Sequence, residues 1–279
     1  MGTPVPFKLM RIGPGESSSY TDQSNYGWAR HGDANIMSVP HILSSIISED
    51  VRLNLVEPNI YSVYPIGDTP GSYDSIGAST IYDVVACNRF YNLIMWGYSI
   101  KDYATLCKDS LVSSPEGWVL DVACGSLAFT AGIYADCSDR PMVFLDQSIK
   151  LLRKAKSRLE KLNGNISKNM FFLHADALQL PFRANVFHTA ISLNLLHCLC
   201  MADVKRALKE IQRVLTKRGN SAITTLVQSS RWSDRYLNML AGSGALISRS
   251  SDDLLSAFNE MQMQVTHEIK GNLAFIKYG

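Results

Sequence analysis

The sequence contains no apolar run that approaches the roughly 20 residues a membrane-spanning helix needs. It has no Cys-x-x-Cys pair, and no cysteine precedes Cys87. The six cysteines (Cys87, Cys107, Cys124, Cys137, Cys198 and Cys200) are scattered through apolar segments. A chain of 279 residues can build its own core, so reduced, buried thiols are expected rather than a disulfide framework; Cys198-Leu-Cys200 could suggest a soft-metal pair, but two cysteines two apart on an apolar loop are weak evidence and no metal site is expected. An excess of charge of one sign is also missing. With 27 basic against 25 acidic residues the formal charge is +2, which gives no reason to expect a nucleic acid or an anionic membrane as partner. The first residues, Met1-Gly-Thr-Pro-Val-Pro6, lack the basic and hydrophobic blocks of a signal peptide, so a cytoplasmic location is expected.

What is present is organised around Trp118-Val-Leu-Asp-Val-Ala-Cys-Gly-Ser-Leu-Ala-Phe-Thr130. A short apolar run, interrupted only by Asp121, reads as a strand buried on both faces. Small turn residues, Ala123 to Ser126, follow, and Ala128 to Tyr134 can form a helix. Asp146 ends a second apolar run, Met142 to Leu145, about twenty residues on. An acid at that spacing can accept both hydroxyls of a ribose diol in doubly wound folds.

These two patterns resemble the class I S-adenosylmethionine-dependent methyltransferases, and more narrowly the ubiquinone/menaquinone-biosynthesis type that acts on small molecules. Val119-Leu-Asp-Val-Ala-Cys-Gly-Ser-Leu127 is similar to that family's first motif, Val-Leu-Asp-Val-Gly-Cys-Gly-Thr-Gly, with Ala123 and Leu127 replacing two of its glycines. The resemblance implies an α/β fold: a Rossmann-like, seven-stranded, mostly parallel sheet with a C-terminal antiparallel strand, plus an N-terminal cap and extension. It implies S-adenosylmethionine as cofactor, with contacts from Asp121, Ala123, Gly125, Asp146, Gln147, Asp176, Ala177, Asn194 and Tyr82. His197, in the Leu195-Leu-His-Cys-Leu199 stretch that lines the active-site floor in the family, is the candidate general base.

Leu127 departs furthest from the motif. It adds a branched side chain where a glycine leaves room for the methionine arm. The expectation is a turn that keeps negative φ at 127, with the side chain in the core or against the cap, and a cofactor path shifted but open.

The rest of the chain fits this frame. Residues 1–79, rich in Pro, Gly, Ser and Asn, read as an extension. It holds a short helix over Val39 to Ser48 and a small hairpin from Val51 to Val56 and Asn59 to Pro65. Residues 80–279 read as the methyltransferase-like domain, its helical cap spanning 80–114, with Tyr82 and Tyr91 as lid candidates. Ser148 caps a helix with a basic outer face, read as solvated, that ends at Asn163-Gly164. Met170 to His174 and Asn185 to Asn194 read as strands. A helix from Asp203 to Leu215 is expected to stop at Lys217-Arg-Gly219, before a strand from Ala222 to Val227. Helices at 233–240 and 252–260 and a final hairpin complete the pattern.

The leading reading is methyl transfer to a small or lipid-like acceptor, with oxygen or carbon favoured. The text Asn194-Leu-Leu-His197 is not the Asn-Pro-Pro-Tyr type that presents carbonyls to a planar amine, and no Pro-Cys nucleophile serves cytosine chemistry. A nicotinamide dehydrogenase would want Gly-x-Gly-x-x-Gly, and Gly125 to Thr130 supplies one glycine. The alternative of another kind is a non-catalytic cofactor-binding or partner-activating protein on a degenerate fold, favoured by Leu127, Ala123 and the long N-terminus.

Overall fold

The structure, a computed structural model, describes residues 39–65, 88–114 and 116–279. Tyr82 lies outside them. Trp118–Val122 (β3), Met142–Asp146 (β4) and Met170–His174 (β5) are short, almost wholly buried strands, as apolar runs flanked by turn residues should be. Phe187–Leu193 (β6) and Leu215–Leu226 (β7) complete a parallel set. Leu273–Tyr278 (β9) lies antiparallel on β7, and Val265–Lys270 (β8) closes that edge. The seven-stranded arrangement expected from the sequence is therefore present.

Two more strands extend it. Asn54–Glu57 (β1) and Ile60–Ser62 (β2) form the small hairpin, and β2 pairs in parallel with β5, so the sheet has nine strands in the order β1-β2-β5-β4-β3-β6-β7-β9-β8. Ile60, fully buried opposite Phe172, explains the docking: its side chain completes the core beside an edge that would otherwise be open.

The helices cover both faces. His41–Ser44 (α1) is one turn, shorter than the sequence suggested, and beyond it Ile47 makes an isolated bridge to Phe182. Arg89–Tyr91 (α2) opens on Asn88, whose side chain caps it, and runs into a π-helical turn, Asn92–Trp96. Gly271 lets this segment meet the β8–β9 turn, since a Cβ there would stand 1.9 Å from the Trp96 carbonyl oxygen. Ile100–Ser113 (α3) begins with a capping box from Ser99 and Asp102. Ala131–Ala135 (α4) starts later than expected. Ile149–Asn163 (α5) has the Ser148 cap and the left-handed Gly164 end read from the sequence. Met201–Val214 (α6) passes directly into β7, so Lys217-Arg-Gly219 is not its stop. It lies in a bulge between the pairs Phe187–Leu215 and Thr189–Asn220. Asp234–Gly242 (α7) and Ser251–Glu260 (α8) finish the cover.

The strand order reverses direction between β3 and β6. In open α/β sheets that is where a crevice forms outside the strands' carboxyl ends. The expected outcome of Ile60→Ala is a loss of about 2–4 kcal/mol in urea unfolding, the cost of a cavity in a close-packed core. A change below about 0.5 kcal/mol would mean the hairpin is not part of the folded unit.

Candidate functional site

The turn after β3 has an unusual backbone. Ala123, Gly125 and Leu127 all have positive φ, at 58°, 57° and 55°. Gly125 adopts this freely, but Ala and Leu each bear a Cβ that disfavours it by about 1–2 kcal/mol. The expected negative φ at Leu127 is therefore not what the chain adopts. The turn keeps a glycine-like path in spite of the leucine. Its side chain does go into the core, 2 % exposed, in the cluster that contains Tyr103, Ile191 and Leu226. Burial of an aliphatic side chain, worth about 1.5–3 kcal/mol, offsets the backbone strain.

Neighbouring groups hold the turn in place. The Gly125 N–H donates to Asp146 Oδ2 at 2.8 Å, and the Ser148 N–H donates to Asp146 Oδ1 at 2.8 Å. Arg158, on the basic face of α5, donates to the Ser126 carbonyl, so this member of the face is a structural contact. Asp121, at the end of β3, is buried and accepts from the Tyr134 hydroxyl at 2.7 Å through Oδ2. Its Oδ1 has no hydrogen-bond partner among the described residues. Burial raises the Asp121 carboxyl to about 7; the Tyr134 hydrogen bond opposes this and the Asp146 charge adds to it.

Asp121, Ala123 and Asn194 line one cleft, together with Leu127, Phe129, Thr130 and Leu193. Asn194 also has positive φ, 65°, and its side-chain amide donates to the Tyr103 hydroxyl at 2.6 Å. Tyr103 in turn stacks on Phe129, with centroids 5.4 Å apart. Asp176 and Ala177 follow β5 on the same edge of the sheet; Asp176 is half-buried and accepts from the Leu178 N–H at 2.9 Å. Gln147 is exposed, and its carbonyl accepts from His174 Nε2 at 3.1 Å. Tyr91 bonds the Tyr236 hydroxyl at 3.1 Å, and Trp96 packs on Tyr236, so the cap segment leans on α7.

His197 sits in a 3-10 turn, Leu196–Cys198. The Leu226 N–H points at its Nδ1 at 3.4 Å, with Thr225 Oγ1 at the same distance. A backbone N–H can only donate, so Nδ1 accepts and the ring proton belongs on Nε2. Burial, with the Arg249 charge adding, lowers the imidazole to about 4, so the ring is neutral at pH 7. Tyr103 and Arg249 carried no sequence signal because each comes from an element distant in the chain, and Tyr134, only 13 residues after Asp121, because its partner shows only once the helix after the turn has folded back.

Strands ending in acids around a switch point define a nucleotide-type crevice in a doubly wound fold. Residues 119–219 match the model of the methyltransferase domain family. Solved structures share the fold at low identity. One is the (4+2)-cyclase SpnF (TM-score 0.52, 18% identity, 63% of this chain and 80% of that one). Another is a possible histamine N-methyltransferase from Thermotoga maritima (TM-score 0.50, 17% identity, 71% and 98%). A third is a putative O-methyltransferase from Nostoc punctiforme (TM-score 0.51, 16% identity, 63% and 55%). No curated protein matches the chain. The chain thus resembles class I S-adenosylmethionine-dependent methyltransferases in its fold and in the stretch from β3 to β7.

The two non-glycine positions of the turn separate strain from packing. Ala123→Gly relieves a strained φ and loses little packing, so it is expected to stabilise by about 1 kcal/mol in urea unfolding. Leu127→Gly relieves the same strain but removes a buried side chain, so it is expected to destabilise by about 1–3 kcal/mol. Equal effects would mean that φ at 123 and 127 is not as described.

Proposed function

We propose that the protein transfers a methyl group from S-adenosylmethionine to a small or lipid-like acceptor, at oxygen or carbon. The observation that carries this reading is the retained left-handed path at Ala123, Gly125 and Leu127, beside three acids at the ends of β3, β4 and β5. Strained backbone persists where surrounding structure enforces it, often at ligand-binding sites. In this reading Asp146, with Gln147 beside it, meets the ribose; Asp176 and Ala177 meet the adenine. Asp121, Ala123, Gly125 and Asn194 face the methionine arm. The bound cofactor supplies an activated methyl donor; the chain's own task is to align the acceptor and exclude water. Tyr91, Trp96, Phe129 and Tyr236 give the acceptor side an aromatic character.

His197 is proposed here as a hydrogen-bonding wall more than as a base. With its proton on Nε2 and a lowered pKa it can donate to an acceptor oxygen but is a weak proton sink. Loss of a general base costs typically 10²–10⁴-fold, whereas loss of one neutral hydrogen bond costs about tenfold or less.

A second reading has one specific observation behind it. The cleft at the turn has a volume of ≈ 30 Å³ with Leu127 in its wall, against the roughly 300 Å³ or more that small-molecule sites usually offer. A non-catalytic protein on the same fold fits that size.

Calorimetric titration with S-adenosylmethionine separates methyl transfer from the form of the second reading that does not hold the cofactor. The unpartnered oxygen of Asp121 favours a cationic ligand, and its sulfonium or ammonium would stabilise the carboxylate. Asp121 is protonated below about pH 7 in the unliganded protein, so binding between pH 4 and 7 must release a proton. Affinity is expected to rise with pH through that window and level off above it. Asp121→Asn removes this pH dependence, and Asp146→Ala weakens binding by about one to two decades. A wild type that does not bind the cofactor decides for the second reading.

A further inference from the structure

The N-terminal hairpin adds more than an edge to the sheet. In the parallel register of β2 on β5, Ile60 lies opposite Phe172 and Ser62 opposite His174. Two residues further along each strand direction stand Tyr64 and Asp176. Beyond Ser62 the chain bends, and the Val63 bond to the His174 carbonyl keeps it beside the end of β5, so Tyr64 stands against His174, two residues before Asp176, at the carboxyl-end edge where the acids lie. The row of strand ends then reads Asp121, Asp146, Asp176 and Tyr64, from the centre of the sheet outward.

Hydrogen bonds fix the hairpin's end. The Val63 N–H donates to the His174 carbonyl at 3.1 Å, the Tyr64 N–H to Ser62 Oγ at 3.0 Å, and the Asn54 amide to the Tyr64 carbonyl at 3.0 Å. His174 is fully buried. Its Nε2–H donates to the Gln147 carbonyl at 3.1 Å, which leaves Nδ1 to accept from Ser62 Oγ at 3.0 Å. Through this buried ring the hairpin is tied to the loop after β4. The Tyr64 ring lies edge-on to His174, with centroids 4.8 Å apart, and remains half-buried. Burial, and after it the charge of Asp176, pushes the Tyr64 phenol up, which places the two side chains within electrostatic reach.

We infer that Tyr64 is a binding residue for the purine end of the nucleoside, its ring forming the outer wall of the subsite that Asp176 and Ala177 begin. A purine held at Asp176 has a π face, and an aromatic ring fixed on a neighbouring strand end offers a contact that no other residue of the row supplies. This rests on the cofactor reading above, and gives the hairpin a part in it.

The test uses the full chain and its variants Tyr64→Ala, Tyr64→Leu and Tyr64→Phe, each titrated calorimetrically with S-adenosylhomocysteine and, separately, with adenosine. Melting of the unliganded proteins is followed in parallel. The Ala and Leu variants are expected to weaken both ligands by about tenfold and Phe by about twofold or less, because the ring makes the contact. Leu keeps bulk at the position, so it decides the matter if the Ala variant does not fold. A Leu variant that binds as tightly as wild type overturns the proposal, as does a Phe variant as weak as Leu. Loss toward S-adenosylhomocysteine with no loss toward adenosine overturns the assignment to the purine. A wild type that binds neither ligand instead removes the cofactor reading itself, and this inference with it.

Discussion

The left-handed turn between β3 and α4 is the constraint on which the rest of the site depends. Two residues with side chains occupy conformations that glycine takes without strain, and several contacts hold them there: Asp146 on the Gly125 amide, Arg158 on the Ser126 carbonyl, and the core around Leu127. Without those contacts the strained φ values would relax by about 1–2 kcal/mol each. The turn is therefore imposed by its surroundings, and one of them, Asp146, is also the acid proposed to meet the ribose.

Electrostatics follow from this geometry. A carboxylate fully inside the fold with one unpartnered oxygen is costly when charged, which is why Asp121 rises to about 7. Asp146 accepts backbone N–H groups on both oxygens. One acid is therefore poised to change protonation when a cation arrives, and the other is already fixed in orientation. His197 is kept neutral by burial and by Arg249, whose guanidinium holds the Leu199 carbonyl behind the same loop.

Much of the fold was legible because its signals are local. Buried strands such as Met142–Asp146 and Met170–His174 announce themselves as apolar runs between turn residues, and Ser148 and Gly164 mark both ends of α5. What escaped depends on long-range pairing. Nothing within Ile60-Tyr-Ser62 says that it will pair with Phe172 to His174, so the hairpin read as an extension when it is part of the sheet. The Lys217-Arg-Gly219 stretch looked like a helix stop because a bulge and a loop use the same residues. At the site, the acids and Asn194 were readable from motif order. Tyr103 and Tyr134 were not, since each is one aromatic among many until the helices carrying them pack over Asn194 and Asp121. At Leu127 the expectation failed on backbone and held on side chain: local propensity favoured negative φ, and tertiary contacts overrode it.

The central claim is that the strained turn and the row of strand ends form one cofactor site. Hydrogen–deuterium exchange of the full chain, with and without saturating S-adenosylhomocysteine, tests it most directly. Slower exchange is expected at the amides of residues 123–127, 146–148 and 176–178, with α6 and β8 unchanged. Exchange that is unaltered across the turn, or protection confined to a face away from the carboxyl ends of β3, β4 and β5, would contradict the account.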